Sequence, residues 1–355
     1  MKTAIRTAIA AFALAALPGI AAETSSIPMN PLAPISLYGH TNAFLLQNRQ
    51  VEFAIFPTIG RVGLMNFRGE PNLLRFDEGL AASATEPATE PSGNWRNFGG
   101  DWVWPVSQNR WPDHFAGYWP PPWLLDGPAW TARGWINRDQ SQTVLLEIKL
   151  GAPVNIAVQR KFTLPADATT LTIQQRIERT ADSSIPVTLW NISQLKGVQR
   201  IAMAVETNSA FVDGYRVLDF SPPREEILHR DTPSVLVADV TDAGEIKIGT
   251  DSSRGWIAAQ RDDFAVIERA IGSPTATDFP DGGCRTEVYS NSGLGYTEVE
   301  TLSEERTLAV GEAVENTLTI SLHRIAAGLD ATAFATRIRE LLGEQAPAAP
   351  APVAP

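Results

Sequence analysis

Eight of the ten tryptophans fall in one stretch, at Trp95, Trp102, Trp104, Trp111, Trp119, Trp123, Trp130 and Trp135. An indole presents a flat apolar face and a single N–H donor. A pyranose ring has apolar C–H faces and a polar rim, so stacked indoles edged by polar side chains suit it. Asp101, Gln108, Asn109, Arg110, Asp113 and Asp126 are interleaved with these tryptophans and could serve that rim. Large aromatic side chains are also usually well buried. The competing reading is therefore a segment that builds a small core of its own and covers one sheet face. Gly99-Gly100, Pro105, Pro112 and Pro120-Pro121-Pro122 break any regular period here, which predicts an irregular segment, neither strand ladder nor helix. Long irregular segments inside compact domains often carry function.

The elements that must hold this stretch read as strands. The period of the apolar residues is two in Val51–Phe56, Val144–Leu150, Val154–Leu164, Leu171–Arg179 and Val187–Leu195. It continues through Val235–Val240, Trp256–Arg261, Phe264–Ala270, Cys284–Ser290, Tyr296–Leu302 and Asn316–Arg324. Asn291-Ser292-Gly293 supplies a tight connection, and Gly293-Leu294-Gly295 reads as a hairpin turn because no helix follows it as a dinucleotide loop requires. One helix is predicted, Ala331–Leu342, capped by Asp330 and stopped by Gly343, with Phe334, Ile338 and Leu341 on one face. Many strands without alternating helices predict an all-β sandwich of antiparallel sheets, as one domain over residues 30–343.

Composition closes off several function classes. The chain has 355 residues, 44% of them hydrophobic and 19% charged, enough to build a sizeable core. Forty acidic against 29 basic residues give −11, without basic blocks, which argues against nucleic acid or anionic lipid as partner. The single Cys284 excludes an internal disulfide, and four scattered histidines lack the spacing of common zinc motifs. No GxSxG elbow is present. Asp278-Phe279-Pro280-Asp281-Gly282-Gly283 reads as a solvated turn more readily than as a calcium loop. Neither a metal nor another cofactor is called for.

At the ends, Lys2 and Arg6, the apolar run Thr7–Leu17 and the small residues Ala21 and Ala22 follow the grammar of a cleaved signal peptide over residues 1–22. The expected location is the periplasm or the outside, with no membrane span. The Ala/Pro-rich residues 344–355 read as an extended tail, and Ala81–Ser92 as an exposed loop. Asn191-Ile192-Ser193 matches a glycosylation sequon but falls in a predicted strand, and is read as coincidence.

The order of several short motifs resembles galactose-mutarotase-like proteins, in a branch apart from the sugar epimerases proper. They are Gly60-Arg61-Val62, Asn72-Leu73-Leu74, Gly99-Gly100 with Trp104-Pro105, Arg160-Lys161-Phe162-Thr163-Leu164 and Leu171-Thr172-Ile173. Pro186 to Leu195, Glu287-Val288-Tyr289-Ser290, Tyr296-Thr297-Glu298-Val299-Glu300, Leu308 and Gly311-Glu312 follow. The resemblance covers roughly residues 36–325. It implies a β-supersandwich whose concave face holds a carbohydrate.

An aldose 1-epimerase takes a proton from the anomeric hydroxyl with a base and gives one to the ring oxygen with an acid. The base is expected at Glu287, which shares a strand face with Arg285 and Tyr289; pairing with Arg285 on a solvated face is the alternative. Glu298 and Glu300 share a face too, and read as exposed strand charges. Epimerases carry Asn-His where this chain has Asn191-Ile192, and isoleucine moves no proton. Asp101, or His114 within the Trp-rich stretch, is left as the candidate acid. Arg61, Trp102, Trp104, Gln108, Trp190, Arg285 and Tyr289 are the expected substrate contacts. A mono- or oligosaccharide is the expected partner. The alternatives are a glycan-binding protein that has lost the acid and, further off, a polysaccharide lyase or glycosidase.

Overall fold

The computed structural model describes residues 30–86, 95–218, 222–232, 234–271 and 278–344. The expected signal peptide and nearly all of the tail lie outside them, as does half of the Ala81–Ser92 stretch, which begins instead in the short helix Glu78–Ala82. Two antiparallel sheets are stacked. The first contains, in spatial order, Asn30–Pro31, Thr131–Ile136, Gln142–Leu150, Ile156–Leu164, Thr170–Arg179, Ala313–Arg324, Phe264–Ile271, Trp256–Arg261, Arg200–Ala204, Val235–Asp239 and Leu228–Thr232. The second contains Arg216–Val217, Glu245–Thr250, Thr286–Asn291, Tyr296–Leu302, Trp190–Lys196, Asp101–Trp104, Arg61–Phe67, Val51–Phe56, His40–Gln47 and Ile35–Leu37. This is the all-β sandwich that the period of two predicts.

Burial follows that period. In Ile156–Leu164 and Thr170–Arg179 buried residues alternate strictly with half-buried ones, the pattern of strands with one face on the core. Phe162, Leu164, Leu171 and Ile173 of these strands meet Phe53, Ile55, Val288 and Val299 of the second sheet. Trp190–Lys196 and Asp101–Trp104 are different, being buried on both faces almost throughout. Their inner faces join the sandwich interior and their outer faces lie under the Trp-rich segment. The helix Ala331–Leu341 packs Phe334, Ala335 and Ile338 against Ala202, Ala204, Val237 and Trp256 on the outside of the first sheet. Its Asp330 cap accepts a hydrogen bond from the Ala333 N–H at 2.8 Å.

The Trp-rich segment is more regular than its prolines suggest. Asp101–Trp104 pairs with Trp190–Lys196 as a central strand, Trp190 opposite Trp104 and Ile192 opposite Trp102. Trp111–His114 and Trp123–Asp126 form single helical turns, and Trp135 sits in the strand Thr131–Ile136. Gly99 and Gly100 make the central strand possible. Both have positive φ, and a Cβ would meet the Arg75 and Val62 carbonyl oxygens at 2.1 and 2.3 Å. Only glycine lets the chain pass this close.

Asp101, the first residue of that strand, points into the interior between the sheets. Its two carboxylate oxygens accept from Arg160 Nη2 at 2.7 Å, Asn191 Nδ2 at 2.8 Å and Ser193 Oγ at 3.0 Å. Arg160 also donates to Gln175 at 2.9 Å, and Gln175 to Asn316 at 3.1 Å. Asn191 is fully buried in this network, so the sequon is held in the core. Glu268 lies beside it. Burial, then the Asp101 charge, push the Glu268 pKa well above the usual carboxylate value, against the pull of Ser193 and Arg160.

Candidate active site on the outer face of the second sheet

Strand register builds a floor of chemistry on the outer face of the second sheet. One row across neighbouring strands reads Lys247, Tyr289, Glu298, Gln194. The next reads Gly249, Glu287, Glu300, Ile192, Trp102. Residues two apart in a strand share a face, so both rows point the same way. Glu287 and Glu300 sit directly opposite each other, which like charges disfavour. Lys247 relieves the conflict, with its Nζ 3.1 Å from Glu287 and 3.6 Å from Glu300 and 4.7 Å from the centre of the Trp190 ring. Gly249 leaves the space that Glu287 occupies, since a Cβ there would meet Glu287 Cγ at 3.0 Å and Cys284 Sγ at 2.6 Å.

Above this floor is a cavity of about 410 Å³. Trp95, Trp102, Trp104, Trp119 and Trp190 line it together with Tyr118, Tyr289, Tyr296 and Leu294 of the hairpin tip. Gln108, Asn97, Gln194, Lys247, Glu298 and Glu300 supply its polar groups. The walls are held by Asp126. Its Oδ1 accepts from Arg61 Nη2 at 2.7 Å and Trp104 Nε1 at 3.1 Å, and its Oδ2 accepts from Trp95 Nε1 at 2.6 Å. The Arg61 guanidinium lies 4.4 Å from the centre of the Trp102 ring. Edge-to-face contacts connect Trp104 to Trp102, Trp111 and Trp190 at 5.9, 4.9 and 6.1 Å. A larger cavity of about 540 Å³ shares Trp95 and Trp119 but is lined mainly by apolar residues. The smaller cavity has the convergent polar groups that a reactive site needs.

The floor carboxyls differ in their surroundings. Glu298 is part-exposed to the cavity and accepts from Gln194 Nε2 at 2.7 Å. Burial, then the Glu300 charge, push its pKa up to about 8, against Gln194, Lys247 and Arg75. Glu300 is buried, and its Oε2 accepts from Trp190 Nε1 at 2.7 Å. Burial raises its pKa too, opposed by Lys247 and Trp190. Burial raises Glu287 well above the ordinary value, with Lys247 opposing. Burial disfavours the Lys247 ammonium as well, but Glu300, Glu287 and Asp281 together hold its pKa well above that of an ordinary lysine. Lys247 stays charged, and among the three carboxyls Glu300 has both the ammonium and an indole N–H beside it. Glu298, with the amide alone as its hydrogen-bond donor among the described residues, keeps its proton to higher pH than an ordinary carboxyl.

Of the residues expected to contact a substrate, Trp102, Trp104, Gln108, Trp190 and Tyr289 line this cavity. Glu287 is beneath the floor, fully buried behind Lys247. Arg61 stands behind the wall and positions Trp102 and Asp126. Asp101 is on the opposite face, held by Arg160, because the strand alternation that sends Trp102 outward sends Asp101 inward. His114 ends a half-buried helical turn and does not line the cavity. Arg285 precedes the strand Thr286–Asn291, stacks 4.0 Å from the centre of the Phe279 ring and lines a separate cleft. Glu298 and Glu300, expected to be exposed, are instead the carboxyls of the site. Gln194 and Tyr296 join them from stretches that the ordered motifs include, and Lys247 from the strand Glu245–Thr250, which the period of two did not pick out.

No protein family and no curated protein matches the chain by sequence. Solved structures do match in fold. The Slr1438 protein of Synechocystis sp. PCC 6803 superposes with a TM-score of 0.52 at 12% identity, over 84% of this chain and 99% of that one. A galactose mutarotase-like protein of Clostridium acetobutylicum gives 0.52 at 9% identity, over 82% and 97%. A galactose mutarotase related enzyme of Lactobacillus acidophilus gives 0.50 at 10% identity, over 81% and 100%. The fold is the galactose-mutarotase-like β-sandwich, as the ordered motifs implied. Among the described residues no helix is long and apolar enough to cross a membrane.

Proposed function

We propose that the cavity over the second sheet binds an aldose and that Glu298 and Glu300 interconvert its anomers. The observation that carries this reading is the pair of floor carboxyls in unlike surroundings beneath a wall of indoles, Glu300 beside Lys247 and the Trp190 N–H, Glu298 on the Gln194 amide. Environments that push two carboxyls apart mark an acid and a base. The Glu300 carboxylate takes the proton of the anomeric hydroxyl as C1=O forms. Glu298 gives its proton to the ring oxygen as the bond from that oxygen to C1 breaks. Rotation about the C1–C2 bond and reversal of both transfers yield the other anomer. The anomeric and ring oxygens are bonded to the same carbon, so neighbouring carboxyls about 7 Å apart along one strand can serve both. The indole faces hold the sugar ring, and Gln108, Asn97 and Gln194 can meet its hydroxyls.

A second reading keeps the sugar and removes the chemistry. It is favoured by Glu300, which is buried and already bonded to Trp190 and Lys247. Exchange NMR on a panel of neutral aldoses separates the two. Acceleration of anomer exchange supports catalysis; ligand line broadening with an unchanged exchange rate supports binding alone; neither effect on any sugar contradicts both.

The basic and apolar residues before Ala22 support placing this activity outside the cytoplasm. N-terminal sequencing of the protein recovered from the periplasmic fraction checks this, and a cytosolic chain retaining Met1 would contradict it.

A further inference from the structure

Two cavities meet at one pair of indoles. Trp95 and Trp119 line both the cavity over the floor carboxyls, of about 410 Å³, and the larger one of about 540 Å³. Each volume lies within the range of about 300–1,000 Å³ usual for small-ligand sites. The two rings meet edge to face at 5.0 Å, and Asp126 fixes Trp95 through its Nε1 at 2.6 Å. Trp119 is 55% exposed, whereas Trp102, Trp111 and Trp190 are wholly buried. One exposed apolar side chain needs no explanation, but several gathered at a cavity mark a binding surface. Tyr118 and Leu294, both exposed, line the floor cavity with Trp119. The larger cavity has the materials to hold a sugar ring. Phe98, Phe115, Pro121 and Trp123 supply apolar surface, and Arg96 and Glu86 supply a donor and an acceptor for hydroxyls. Its buried carboxyl, Asp126, is already bonded to Arg61, Trp95 and Trp104, which leaves this cavity a binding surface.

We propose that the preferred ligand is a reducing oligosaccharide, its reducing unit over Glu298 and Glu300, its next unit in the larger cavity, and Trp119 against the chain where it passes between them. This deepens the aldose reading and rests on it. Interconversion of anomers requires a free C1 hydroxyl in the floor cavity. The second unit is then attached through another hydroxyl of the first, so the ligand presents its reducing end to the floor. A single hexose fills one of the two cavities. An internal unit of a polymer, with its C1 oxygen in a glycosidic bond, has no anomeric hydroxyl to give a proton to Glu300.

The test is titration calorimetry at neutral pH with glucose, galactose, mannose and xylose, with the reducing disaccharides maltose, cellobiose, lactose, galactobiose, mannobiose and xylobiose, and with 6-O-benzoylglucose. One disaccharide should bind at least about tenfold more tightly than its reducing-end monosaccharide, since linking two units makes the second contact intramolecular. That ratio should fall to within about twofold in Ala116→Trp, which adds bulk at an exposed residue of the larger cavity and leaves the second unit no room. Trp123→Ala, which takes an indole from the same cavity, should lower it too. Monosaccharides that bind as tightly as every disaccharide overturn the second subsite and leave the aldose reading intact. A disaccharide preference that both variants retain overturns its assignment to this cavity. Tighter binding of 6-O-benzoylglucose than of any disaccharide overturns a sugar as the occupant. Binding of no sugar overturns both the oligosaccharide inference and the aldose reading.

Discussion

Glu298 illustrates how a residue acquires chemistry from its neighbours. On an open strand it would titrate as an ordinary carboxyl; under the indoles and beside Glu300 its pKa rises to about 8. The consequence for stability has a definite sign. A carboxyl with a raised pKa binds a proton more tightly in the folded state. Its contribution is complete below the unfolded value and is lost as pH rises through the folded one. Glu287, Glu300 and Glu268 shift in the same direction. The melting temperature should therefore fall between pH 5 and 8. Glu298→Gln should flatten that fall by the equivalent of one proton, at most about 1.4 kcal/mol per pH unit. Melting curves across this range check it; a stability that rises toward pH 8 would contradict the protonated floor.

At the scale of elements, the site depends on a register that places Glu287 opposite Glu300 and Gly249 opposite Glu287. Gly249→Ala should destabilise by about 1–3 kcal/mol, the range for overpacking a filled site. Denaturant unfolding measures it, and no loss would show that Cys284 and Glu287 move aside freely. The aromatic wall depends on Asp126 in the same way. Asp126→Ala removes acceptors from Arg61, Trp95 and Trp104, leaving a buried guanidinium unpaired, at a cost of about 3–5 kcal/mol. The expected result is a shifted tryptophan emission and weakened sugar binding. Unchanged emission would mean that the indoles hold one another.

Over the whole molecule, periodicity located the strands that alternate cleanly, and Val51–Phe56, Trp256–Arg261 and Tyr296–Leu302 coincide with their expected limits. It missed Asp101–Trp104, where prolines and glycines flank a strand buried on both faces, and with it the side to which Asp101 points. It also could not show that the segment folds over Glu298 and Glu300, a long-range contact without a local signal. Asp101 therefore belongs to the sandwich interior, and Asp101→Asn should separate stability from activity. It weakens a buried pair with Arg160, so the protein should lose stability, by about 3–5 kcal/mol at most. Its pH profile of anomer exchange should match that of the wild type wherever it stays folded. A displaced profile would place Asp101 in the reaction.

The most direct measurement of the central claim is the rate of anomer exchange of a bound aldose against pH, for wild-type protein and Glu298→Gln. The account predicts an acceleration that declines above about pH 8 as Glu298 loses its proton. It also predicts a loss of about 10²- to 10⁴-fold in the variant, the range that general acid catalysis supplies. A wild-type acceleration that Glu298→Gln retains in full would show that the proton comes from elsewhere.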